Sequence, residues 1–147
     1  MEAVGMKNIS PKGLSLIKKF EGCRLKAYKP VKTEKYYTIG YGHYSADVKA
    51  DSVITPLQAE QILLMDIARF ARNVNSYDHI YHWTQNEFDA LVSFAFNIGS
   101  INQLTNNGKR TKAEIADKIP AYNKAGKKVL DGLTRRRLEE RALFLSK

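Results

Sequence analysis

The chain predicts an α+β fold that is predominantly α-helical, and two observations carry the prediction. Aromatic and β-branched residues with interleaved glycines cluster once, over residues 36–44, close to the N-terminus. Helix start signals followed by apolar stripes fill the rest. With 147 residues, the chain can bury roughly two-thirds of its unfolded surface in a core. It holds no internal repeat, low-complexity tract or linker that would divide it.

The first helix opens at Ser10 and Pro11, an N-cap and first-turn pair, and runs to Phe20 or Glu21, where Gly22 can end it. "KPVKTEK" reads as a turn or loop, and residues 36–44 as a strand. Thr55, Pro56 and Gln58 form a capping box for a helix reaching Val74, with Ala59, Ile62, Leu63, Ile67 and Phe70 on one side. Thr84 and Glu87 form a second box, heading a helix through Phe88, Leu91 and Ala95 to Gly99. The tail predicts a helix at 112–118, a loop through "NKAGKKVLDG" and a last helix near 133–145.

Lys and Arg total 24 against 15 acidic residues, a net charge of +9. That balance favours a polyanionic partner: nucleic acid, an anionic membrane surface or a bacterial wall. No basic-aromatic motif of a nucleic-acid-binding fold accompanies it, so a cationic surface serving an anionic wall is the more economical reading. Cys23 is the sole cysteine, which excludes an intrachain disulfide and a zinc cluster and suits a reducing compartment. "MEAVGMKNIS" shows no apolar export region, and no run reaches membrane-spanning length, so no stable membrane insertion is expected. His43, His79 and His82 show no ligand spacing with carboxylates; no metal or organic cofactor is expected, and His79 and His82 read as surface residues.

Glu21 is the residue in which chemistry concentrates. At 100° per residue it projects beside the apolar stripe of Leu16, Ile17 and Phe20, in the last helical turn. Partial burial and the negative end of the helix dipole both disfavour its charged form, the condition a carboxyl group needs to act as a general acid near neutral pH. A salt bridge to one of the many arginines is the structural alternative. A period of two along the strand puts Thr38, Gly40 and Gly42 on one face, opposite Tyr37, Ile39, Tyr41 and His43. The two glycines read either as a groove floor or as a bulge or bend. Asp66 falls on the apolar side of its helix and wants a partner, for which His43 is the candidate.

"FEG", "KAY", "YTIGYGH", "ITPLQAEQILLMDI", "TQNEFDALVSFAFNIG" and "GLTRRRLEERALF", in that order, closely resemble the phage-type lysozyme and endolysin family, glycoside hydrolase family 24, over nearly the whole chain. The resemblance implies a single catalytic domain over 1–147 with a two-lobed lysozyme-like fold and a small N-terminal β-hairpin. It puts an N-terminal lobe at about 22–65 and a helical C-terminal lobe at about 75–147, packed with the first helix. The implied activity cleaves the bond between N-acetylmuramic acid and N-acetylglucosamine in peptidoglycan. Glu21 would be the catalytic acid, Thr38 would assist on the water or substrate side, His43 and Asp66 would pair, Asn97 would line the saccharide groove, and Arg136 would approach Glu21. The resemblance also implies accumulation in the host cytoplasm and release through holin-made lesions to the wall; the chain is expected to be a monomer.

One departure leaves the mechanism open. Relatives usually carry Asp or Cys nine residues after the glutamate and six before the threonine; those positions are Pro30 and Lys32 here. The glutamate-to-threonine spacing is two residues longer, so the loop has been rebuilt. Glu34, the only acid between Glu21 and Thr38, could replace the missing carboxylate. Alternatively, Glu21 works with Thr38 and a positioned water, or as the single acid of a lytic transglycosylase. A non-catalytic wall-binding homologue is the remaining alternative. Cys23 lies off the family's Cys position and reads as a packing residue.

Overall fold

A computed structural model describes residues 6–147. The elements run α1 (Pro11–Glu21), β1 (Arg24–Tyr28), β2 (Tyr37–Gly40), β3 (His43–Ser45), α2 (Pro56–Asn75), α3 (Asp78–Tyr81), α4 (Gln85–Ile98), α5 (Lys112–Lys118), a 3-10 turn at Ile119–Ala121, β4 (Lys124–Ala125), β5 (Lys128–Val129) and α6 (Asp131–Leu145). The chain divides into two compact units. One joins the N-terminal segment through Ile17 to Arg69–Lys147, and the other is Lys18–Ala68.

In the larger unit, α4 packs chiefly against α6, and its Phe88, Leu91, Val92, Phe94 and Ala95 are buried. The capping box expected at Thr84 forms: its hydroxyl accepts from Glu87 N at 3.1 Å while Glu87 accepts from Thr84 N at 2.9 Å. Thr111 and Glu114 repeat the motif at the start of α5. Trp83 is sealed in by stacking on Tyr81 at 4.4 Å and by donating its indole N–H to Val74 O.

The start of α1 is secured by a tertiary contact. Ser10 donates both its backbone N–H, at 3.0 Å, and its hydroxyl to the fully buried Asp89. Gln85 donates to the same carboxylate at 2.9 Å. The Ser10 hydroxyl, expected to cap its own helix, is thus directed to α4. Gly13 makes this possible, because a Cβ there would lie 2.7 Å from Asp89 Cβ.

The last helix, expected near 133–145, forms as α6, and its charged middle is buried. Arg136, Arg137 and Glu140 are at most 3% exposed. Arg137 Nε lies 2.7 Å and Arg136 Nε 3.2 Å from Glu140 carboxylate oxygens, and Ser93 donates its hydroxyl to Glu140 at 2.6 Å. Arg136 also donates to Ser93 O, and Arg137 lies over the Phe94 ring at 5.0 Å. Burial pushes the Glu140 carboxyl above the usual range, opposed by Arg137, the Ser93 hydroxyl and Arg136. In a place closed to water, each charge is tolerated because the others answer it.

In the smaller unit, β1, β2 and β3 form one antiparallel sheet in that order. Two details differ from the expectation. "RLKAY" is a strand, so a third member joins the hairpin. The run 36–44 is two strands folded back on each other, with Ile39 opposite His43 and Gly40, Tyr41 and Gly42 as the turn. Gly40 and Gly42 have φ of +67° and +88°, backbone that glycine adopts without strain. The free edge of β1 is partly covered: Ala27 N donates to Ser52 O and Ile54 N to Leu25 O. Thr55 and Gln58 cap α2 reciprocally, and Ala59, Leu63 and Ile67 bury its inner side. The expected loop near 124–129 contains the small β4–β5 hairpin.

Candidate active site

Glu21 ends α1, and Gly22, with φ of +67°, turns the chain into β1. A methyl group in place of a Gly42 hydrogen would lie 3.3 Å from Glu21 Oε1. The carboxyl is therefore laid against the side-chain-free corner of the β2–β3 turn. Glu21 is half-buried.

Thr38 is 7% exposed in the central strand. It stands opposite Tyr28 of β1 and Tyr44 of β3. Directly opposed residues project to the same face of a sheet, so Thr38 is the middle member of a tyrosine–threonine–tyrosine row. Counting by twos found Thr38's face, but the tyrosines become visible only when the register is known. Tyr36 stacks against Tyr44 at 5.3 Å, and Tyr44's hydroxyl accepts from Tyr36 N.

The groove-floor reading of the two glycines divides. Gly42 meets the Glu21 carboxyl, as a floor would. A Cβ on Gly40 would instead face Ile54 Cδ1 at 3.5 Å and Ala59 Cβ at 3.7 Å, so Gly40 serves the packing of sheet on helix. The bend won because the turn needs positive φ.

On the other face of the sheet, His43 Nδ1 lies 2.8 Å from Asp66 Oδ2, tying β3 to α2. Its Nε2 lies 3.5 Å from Asp47 Oδ1, a partner that sequence reasoning missed because it sits in the irregular segment after β3. Asp47 is held below the usual carboxylate range, first by the Ser45 hydroxyl and then by His43. These residues rim a cavity of about 330 Å³ whose apolar wall includes Ile39, Val48, Ile54, Ile62 and Met65.

Glu34 closes a turn in the β1–β2 loop, its N–H donating to Val31 O at 3.0 Å. Pro30 and Lys32, at the expected Asp/Cys positions, occupy the same loop and are exposed. Asn97 is in the larger unit, exposed in the last turn of α4. Arg136 is buried with Glu140 and Ser93. Cys23 is exposed between Gly22 and β1, which corrects its reading as a packed residue. His79 and His82 are exposed in and after α3. Among the described residues, no group of three or more His, Cys, Asp or Glu is arranged to hold a metal ion, and no helix is long and apolar enough to cross a membrane.

The fold is lysozyme-like: it is similar to the muramidase domain of SpmX from Asticaccaulis excentricus, with a TM-score of 0.79 and 34% identity over 95% of this chain and 99% of that one. A family model described as phage lysozyme matches residues 18–140, and the chain belongs to that family. It is 50% identical over 94% of its length to an endolysin of Bacillus phage PZA and 48% identical over 95% to one of Bacillus phage B103. It spans 55% and 54% of those two relatives, about half their length.

Proposed function

We propose that the chain is a muramidase that hydrolyses the β-1,4 bond between N-acetylmuramic acid and N-acetylglucosamine in peptidoglycan, acting as an endolysin in host lysis. The observation that carries the reading is the placement of Glu21: a half-buried carboxyl at the end of α1, with Oε1 beside the side-chain-free Gly42 of the β2–β3 turn. Membership of the phage lysozyme family supports it.

In this reading Glu21 protonates the glycosidic oxygen as the bond to the anomeric carbon breaks, and Thr38 orients the water or a sugar hydroxyl. Glu34 is proposed as the second carboxylate. A separation from Glu21 of roughly 5–5.5 Å in the complex would make it a nucleophile, and about 6.5–9.5 Å a base for an inverting water. His43 is tied to Asp66, which holds β3 on α2, and His43 and Asn97 are proposed substrate contacts. The two units are proposed to act as one catalytic domain and the protein as a monomer. Activity series of Glu21→Gln, Glu34→Gln and Thr38→Ala on purified peptidoglycan, with mass spectrometry of the products, test the assignment. New reducing ends are expected, and anhydromuramic ends would mean transglycosylation. Full activity in Glu34→Gln would remove that residue from the mechanism. Persistent wall binding with no cleavage by the parent protein would leave a binding module.

The family reading extends to delivery: accumulation in the host cytoplasm and passage to the wall through holin-made lesions. Lysis of expressing cells should then require a co-expressed holin.

A further inference from the structure

The sheet unit carries a second feature that catalysis does not use. Arg24, Lys26, Lys29, Lys32 and Lys35 fall within twelve residues, with the four lysines spaced three apart. They occupy β1 and the β1–β2 loop, and all but the half-buried Lys29 are exposed. Among the described residues none of the five is paired with a carboxylate, whereas Lys18 in the same unit is paired with Glu60. Three of them lie over tyrosine rings instead: Arg24 over Tyr28 at 4.4 Å, Lys29 over Tyr37 at 4.8 Å and Lys35 over Tyr36 at 5.4 Å. A ring face holds a cation in place and leaves its charge unneutralised. The sole acid among these twelve residues is Glu34.

We infer that this strand and loop form a docking surface for a linear polyol-phosphate polymer of the cell wall, of the teichoic acid type. The inference rests on the wall-directed reading above and deepens it. Charge complementarity carries the argument: a cluster of cations without carboxylate partners among the described residues matches a polyanionic chain, and releasing that chain's counterions drives association. Four of the five cations are lysines, compact point charges that follow a flexible phosphodiester chain without the fixed fork geometry an arginine imposes. Strand addition is a poorer mode here, because Ser52 and Ile54 already bond to β1's outer edge. Nucleic acid is disfavoured because the rings that would stack on bases are covered by the protein's own cations or, for Tyr36 and Tyr44, by each other.

The test compares binding of the full chain to purified walls before and after hydrofluoric acid has removed the phosphodiester polymer, as a function of salt. The parent should bind intact walls at least about tenfold more tightly than stripped walls, with affinity falling steeply as salt rises. The triple variant Lys26→Gln, Lys29→Gln, Lys35→Gln should lose that preference, and the matching Lys→Arg triple should keep most of it. Both should keep the parent's thermal midpoint and its rate on a short, soluble peptidoglycan oligosaccharide that carries no phosphodiester polymer. Equal binding of the parent to intact and stripped walls would overturn the proposal, as would tighter binding to single-stranded DNA than to the isolated polymer. A chain that prefers intact walls but leaves the soluble substrate uncut would refute the glycosidase reading while keeping the docking surface.

Discussion

Arginine and lysine do opposite work in the two units. In the larger one, Arg136 and Arg137 are withdrawn from water and answered by Glu140 and Ser93. In the sheet unit, Arg24, Lys26, Lys29, Lys32 and Lys35 have no carboxylate partner among the described residues, and three rest on rings. The same residue types hold a core together in one place and face outward in the other. The carboxylates sit differently as well: Glu140 is fully buried beside Arg136, Arg137 and Ser93, while Glu21 is half-buried at the end of α1 with Oε1 beside Gly42. Buried charges thus tie α4 to α6 in the larger unit, whereas a run of mostly exposed cations marks β1 and the loop after it in the sheet unit.

Substitutions that separate activity from stability sharpen or break this contrast. Glu21→Gln should lower wall hydrolysis by roughly 10²–10⁴-fold, the usual weight of a general acid, while a denaturant melt moves little; a large loss of stability would recast Glu21 as structural. Glu140→Ala should do the reverse, costing about 3–5 kcal/mol by leaving two buried guanidinium groups without their carboxylate, read from urea unfolding. Gly42→Ala tests whether the turn serves both purposes. The left-handed backbone should cost about 1–2 kcal/mol, and the methyl beside Glu21 should lower turnover by roughly tenfold or more.

The smallest effect concerns the α5 cap and depends on pH. Glu114 is held below its ordinary value, first by the Thr111 backbone N–H and then by the Thr111 hydroxyl. A depressed folded-state value means that ionised Glu114 supports the fold above its unfolded pKa, and that this support fades as pH falls through the folded value. Glu114→Gln should therefore be less stable than the parent at neutral pH and converge with it in acid. Parallel melting curves at all pH values would show that the cap is electrostatically silent.

The helices were legible because their signals are local. Pro11, the boxes at Thr55 and Thr84, and the stops at Gly22 and Gly99 fix boundaries within a turn of themselves. The sheet was harder. "RLKAY" carries two cations and is mostly exposed, so it lacks the apolar alternation that marks a strand, and its pairing with β2 is a tertiary fact. The turn at Gly40–Gly42 was read through as strand because period two continues across glycines that have no side chain to contradict it. Glu21, Thr38 and the His43–Asp66 pair could be nominated from pattern and family resemblance. Asp47, Tyr28 and Tyr44 could not, since each enters through strand register or the course of an irregular segment. The Arg136–Glu140 cluster was hidden for a different reason: "TRRRLEER" looks like a solvated face, and hydropathy does not register charges buried together.

The bond between Ser10 and Asp89 joins residues 79 positions apart, and this bears on how the chain comes off the ribosome. The sheet unit is one continuous stretch, Lys18–Ala68, and has all its residues once the first half of the chain has emerged. The larger unit must wait: its opening segment is made first, yet α4 and α6, against which it is completed, are made last. Closing contacts so distant in sequence is slow, and synthesis delivers domains from the N-terminus onward. A nascent chain halted before α6 should therefore hold a formed β-sheet while α1 still lacks its full partner set, so that the discontinuous unit folds after the continuous one.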